Sequence, residues 1–164
     1  MVTVKSIFDF IAKLIKVFLG VLLVVMLVVA LIEVFRRYIL GRSFAWAEEL
    51  IRYLIIWISF LGAAVAYKEN NLVFFDLVAN KIKGKAKMIL LIITNTITLS
   101  IILFVFLNSV ETILKPSILT QKSIGLQVPM VIPFLSVPLG LGLMFLFGLY
   151  KYREIIADYE NNQM

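Results

Sequence analysis

The ionisable residues that could do chemistry crowd into one stretch, from Glu33 to Arg52. Glu33 stands three and four residues before Arg36 and Arg37. Glu48 and Glu49 stand four and three before Arg52. On a helix these spacings bring opposite charges together. A carboxylate beside a long apolar run is a candidate proton or cation carrier, because charge in a membrane is costly and usually has a task. Two arginines within one turn favour a plainer role for Glu33, an ion pair at the membrane edge that fixes the local fold. Gly41 is the natural turn. Closing the chain there would set Glu33 and Arg37 opposite Glu49 and Arg52, with Arg42 in the turn itself. Trp46 falls at the interface level, where indoles are common. Trp57 lies deeper and is expected to pack against another helix.

The rest of the composition excludes much chemistry. The chain has 164 residues with no Cys and no His. Disulfides, thiolate nucleophiles, Ser-His-Asp catalysis and nearly all zinc or copper sites are therefore ruled out. No Gly-rich phosphate loop and no usable internal repeat is present, so no cofactor and no metal is expected. The formal net charge is +6. In a membrane chain that reads as basic loops on the cytoplasmic side, not as nucleic-acid binding.

The elements that must position these residues are long and apolar. The hydrophobic fraction is 62% and the mean hydropathy +1.04, beyond an ordinary soluble domain. Four stretches approach the roughly 20 apolar residues needed to cross a bilayer. They lack the alternation of barrel strands. The expectation is an all-α membrane protein, one integral-membrane domain over residues 1–164, with spans at about 17–38, 50–67, 88–110 and 129–150. The first run is read as a span and not a cleaved signal, because Arg36-Arg37 follow where small residues should stand.

Basic residues suggest an orientation. Three lie before the first span, five between the second and third, and two after the fourth, ten in all; four and two, six in all, lie on the other side. The positive-inside rule then puts both termini in the cytoplasm.

Two further segments read as amphipathic interfacial helices. In residues 2–16, Lys5, Asp9, Lys13 and Lys16 oppose Ile7, Phe10, Ile11 and Leu14. In residues 72–87, Asp76, Asn80, Lys83 and Lys87 oppose Phe75, Val78, Ile82 and Ala86. Such helices lie in the headgroup layer against membrane lipids. The third span carries Thr94, Asn95, Thr96, Thr98, Ser100, Asn108 and Glu111, groups that often bond across helices. In the fourth, Pro133 and Pro138 should bend the helix, since each removes a backbone donor. Gly62, Gly140, Gly142 and Gly148 permit close helix contact.

At the charged stretch the chain resembles a known family. Arg37-Tyr38, Gly41-Arg42-Ser43, Trp46-Ala47-Glu48-Glu49, Arg52-Tyr53, Trp57, Phe60-Leu61-Gly62-Ala63 and Ala66-Tyr67-Lys68 follow the order and spacing of the DctQ-like proteins. These are the small membrane subunits of tripartite ATP-independent periplasmic (TRAP) transporters. Leu126, Val128-Pro129 and Val137-Pro138-Leu139-Gly140 form a second patch. Asn71-Leu72 stands where the family often has His-Ile. The chain ends soon after the fourth span, as in a separate small subunit. The resemblance implies a non-catalytic role in the bacterial inner membrane. The partners would be a large DctM-like membrane subunit, which carries the substrate and sodium sites, and a periplasmic solute-binding protein that captures a dicarboxylate or a sialic acid. Glu33, Arg37, Arg42, Trp46, Glu48, Glu49 and Arg52 would form an assembly or docking hairpin. The competing reading is a stand-alone proton-coupled exporter, a homo-oligomer using Glu33.

Overall fold

The computed structural model describes residues 2–69 and 85–161. It contains helices α1 (Val2–Leu40), α2 (Ala45–Lys68), α3 (Lys85–Ile113), α4 (Pro116–Thr120) and α5 (Val131–Asn161). All but α4 are long and apolar enough to cross a membrane. Among the described residues there is no strand, only an isolated bridge between Lys122 and Pro129. The protein is an all-α, multi-pass membrane protein.

The first helix differs from the expected pair of elements. Residues 2–16 and the first span form one helix of 39 residues. At 1.5 Å per residue it is about 58 Å long, nearly twice a hydrocarbon core of about 30 Å. The change at Lys16 is one of polarity, not of backbone. Neither Gly nor Pro interrupts the chain there, and an existing helix extends at little cost. The N-terminal turns are also tied down. Phe8 meets the rings of Phe147 and Tyr150 at centroid distances of 5.6 and 5.2 Å. Asp9 pairs with Lys68, and Lys16 with Glu69. The segment expected as the second interfacial helix, 72–87, lies outside the described residues except for its last three, which open α3.

The spanning helices form a row, α1 beside α2, α2 beside α5, and α5 beside α3. The α1 seam is a single stripe, Ala12, Leu19, Leu22, Met26, Val29 and Glu33, at alternating spacings of mostly three and four. Its other faces are bare and apolar from Val17 to Ile32. The hairpin contacts make α1 and α2 antiparallel, so the 41–44 turn and the 114–130 connection share one end. The start of α1 and the end of α5 sit at the other.

Glycines permit the closest approaches. A Cβ on Gly140 would stand 2.7 Å from the Phe60 carbonyl oxygen, so the backbones of α2 and α5 meet closely there. Gly148 is similarly filled by Leu99 and Tyr67. Gly62 is different: its nearest neighbour is Leu19 Cδ1 at 4.0 Å. Pro133 falls in the first turn of α5, where its missing N–H has no helical partner to lose and gives no cause for a bend. Pro138 lies inside the helix.

A polar chain crosses the row near its terminal end. The Tyr67 hydroxyl donates to Asn95 Oδ1 at 2.6 Å, and Asn95 Nδ2 donates to the Gly148 carbonyl at 3.0 Å. The other span-3 hydroxyls mostly bond to their own helix, as Thr94 does to Leu90 O and Thr98 to Thr94 O.

Candidate docking and assembly site

The site is built at the end that holds the two tight connections. The α1 helix stops at Gly41, whose φ of 63° is the left-handed conformation that closes many helices. Four residues later α2 starts. Its N-cap is Phe44, which has no side-chain acceptor for the exposed backbone N–H groups. Glu33, from the neighbouring helix, instead binds the N–H of the N-cap residue itself, as the reaching-back acid of a capping box does. Its two oxygens each lie 3.2 Å from the Phe44 N–H, and Oε1 accepts the Ser43 hydroxyl at 2.5 Å. A carboxylate at a helix N-terminus is also favoured by the helix dipole. Glu33 is only 8% exposed, so it is a buried cap borrowed across the hairpin.

This corrects the expected pairing. Neither Arg36 nor Arg37 pairs with Glu33 among the described residues. The Arg36 guanidinium instead stacks on the Phe44 ring, 3.3 Å from its centroid. Phe44 also meets Trp46 at 5.2 Å.

Glu49 makes the second latch. Its Oε2 accepts the backbone N–H groups of Gly125 and Leu126 at 2.8 and 2.9 Å. Its Oε1 accepts the Tyr53 hydroxyl at 2.6 Å. The loop it holds is itself ordered. The Ser123 N–H reaches Val128 O at 2.9 Å, and the Met130 N–H reaches Gln121 O at 3.0 Å. Gln127 turns the loop with a φ of 56°. Gly125 is required by closeness: a Cβ there would lie 2.9 Å from both Ala45 O and Glu49 Oε2. Ile124, at the loop tip, is 92% exposed.

Of the residues expected in the hairpin, Glu33 and Glu49 become latches. Arg37, Arg42, Trp46, Glu48 and Arg52 lie on the outside of the same end. The opposed pairing of Glu33 and Arg37 with Glu49 and Arg52 does not form, nor does a Glu48–Arg52 ion pair. Ser43, Phe44, Tyr53 and Gly125 were not singled out as site residues. The i, i+4 spacing of Glu49 and Tyr53 is a local signal that could have found Tyr53. Nothing local points to Gly125. Among the described residues no three His, Cys, Asp or Glu side chains gather as a metal site.

Four membrane-length helices, their non-terminal end tied by Glu33 and Glu49 with Arg37, Arg42, Glu48 and Arg52 exposed around them, define a multi-pass membrane component. Residues 26–158 match the family described as tripartite ATP-independent periplasmic transporters, DctQ component, and the chain belongs to that family. It is 32% identical over 99 residues to the isethionate TRAP transporter permease protein DctMQ of Oleidesulfovibrio alaskensis, a match covering 60% of this chain and 16% of that protein. It is 33% identical over 95 residues to a putative TRAP transporter small permease protein of Haemophilus influenzae, covering 58% and 59%. The matched region thus spans less than two thirds of either relative.

Proposed function

We propose that this chain is the non-catalytic small membrane subunit of a TRAP transporter in the bacterial inner membrane, with both termini cytoplasmic. It braces the large membrane subunit and helps dock the periplasmic solute-binding protein during sodium-driven uptake of a small organic acid. The dicarboxylate and sialic acid classes remain the expected solutes. The relative named for isethionate, a sulfonate, extends that expectation to other small organic anions. The name DctMQ joins both membrane parts, which supports a large-subunit partner for this chain.

The observation that carries this reading is the use made of the two inward carboxylates. Glu33 and Glu49 have their oxygens occupied by donors from turns and loops, and so act as fasteners. The exposed charges left over, Arg37, Arg42, Glu48 and Arg52, lie on a braced platform suited to a soluble protein's surface. The exporter reading needs Glu33 free to exchange protons with water, which its burial against Ser43 and Phe44 disfavours.

The test is co-expression with the large membrane subunit of a TRAP transporter from the same organism, followed by affinity purification. The two chains should copurify and should retain the binding protein in the presence of solute. Recovery of the large subunit alone, fully active, would overturn the proposal.

A further inference from the structure

Arg36 is a charge that the fold leaves without a counter-ion. It continues the α1 seam three residues past Glu33, and its guanidinium lies on the Phe44 ring, 3.3 Å from the centroid. Its Nε is buried and has no acceptor among the described residues. Glu33 is the carboxylate at helical spacing, but its oxygens already serve Ser43 and Phe44. Arg36 forms no ion pair among the described residues. A guanidinium stacked by its face keeps its edge for hydrogen bonds. Here the Nε side of that edge is sealed, and the end that carries both Nη groups is left for a ligand.

The surroundings define the ligand. Arg36 stands near the end of a span, on the outermost helix of the row. Ile32 and Leu40, four residues to either side of it, are 52% and 63% exposed. Val25, Val28 and Ile32, all exposed, lead up to Arg36 at spacings of three, four and four. These spacings keep them on one side of the helix. From Val25 to Arg36 is about 16 Å of helix, the depth of one leaflet in a core about 30 Å thick. The Phe44 and Trp46 rings, 5.2 Å apart, mark the aromatic level at which headgroups sit. An unpaired cation at the rim of a lipid-facing stripe meets phospholipid phosphates before any other anion. Arg37 and Arg42, exposed at the same end, add positive charge there. They oppose the ammonium of a zwitterionic head and favour a head that is net negative.

We infer that the Nη groups of Arg36 hold the phosphate of a net-anionic phospholipid, such as phosphatidylglycerol, in the leaflet at the non-terminal end. An acyl chain of that lipid runs along Val25, Val28 and Ile32. Two parallel N–H···O bonds to one phosphate are a geometry that arginine offers and lysine does not. The site requires only the membrane spans, not the transport role.

Native mass spectrometry of the purified chain in a mild detergent, titrated with phosphatidylglycerol or phosphatidylethanolamine, reads the bound lipid directly. The tightest adduct should be with phosphatidylglycerol. Arg36→Gln should weaken it at least about tenfold, the scale of a charge-assisted bond, and Arg36→Lys should recover part of the loss. Arg52→Gln removes the same charge from the same end, on α2, and should leave that adduct unchanged. Ile32→Glu keeps Arg36 and its stack on Phe44 but sets a carboxylate one turn away; it too should displace the phosphate. Undiminished binding in Arg36→Gln or Ile32→Glu, an equal loss in Arg52→Gln, or no preference over phosphatidylethanolamine would overturn the inference. So would loss of the adduct from the unsubstituted chain once the large membrane subunit is bound, which would give Arg36 a protein carboxylate instead.

Discussion

Glu49 on α2 accepts the backbone N–H of Gly125 at 2.8 Å across 76 residues of chain. The same oxygen takes the next N–H, and the other oxygen takes Tyr53. One side chain thus closes the loop that leads into α5 onto the first turn of α2. Glu33 does the equivalent for the preceding connection. The non-terminal end of the row is held by carboxylates that each serve more than one donor, and charge-assisted bonds of this kind are about twice as strong as neutral ones.

Replacing Glu49 by Ala strands two backbone donors. Glu49→Ala is expected to lower the melting temperature in detergent and to open the 121–130 loop to protease. Glu49→Gln, which keeps an acceptor, should fall between. Limited proteolysis with mass mapping checks the loop; an unchanged cleavage pattern in Glu49→Ala contradicts the latch.

Glu33 separates a cap from a carrier. Glu33→Gln retains acceptor oxygen for Phe44 and Ser43 and should preserve assembly and uptake in the full transporter. Glu33→Leu should lose assembly, with a cost of about 1–3 kcal/mol for the unsatisfied donors. Uptake abolished in Glu33→Gln with the complex intact would point to proton carriage instead.

The glycines predict a contrast within one fold. Gly140→Ala drives a Cβ to 2.7 Å from Phe60 and should destabilise by about 1–3 kcal/mol, the usual cost of overpacking. Gly62→Ala meets only Leu19 at 4.0 Å and should be neutral or slightly stabilising, since Ala is the better helix former. Thermal unfolding in one detergent measures both.

The Tyr67–Asn95–Gly148 chain ties three helices. Tyr67→Phe and Asn95→Leu should each cost about 0.6–2 kcal/mol, as cross-helix bonds in membranes do. The double variant should cost less than their sum, because both changes break one network. Strict additivity would mean the two side chains act independently.

The spans were legible because each is an unbroken apolar run of membrane length. The first boundary was not, because the charged face of residues 2–16 changes the polarity of the helix without requiring a break in its backbone. Spacing of three and four found Glu33 near Arg36 and Arg37, yet could not show that the 41–44 turn delivers a better partner, an uncapped N–H. Glu49 and Gly125 lie far apart in sequence, and nothing in either neighbourhood signals the contact. Pro133 looked like a bend only because the start of α5 was expected two residues early.

The most direct test of the bracing role is solute uptake by liposomes that hold this chain alone, the large subunit alone, or both, each with the binding protein and a sodium gradient. The account predicts accumulation only when both membrane chains are present. Accumulation by vesicles holding this chain alone would contradict it.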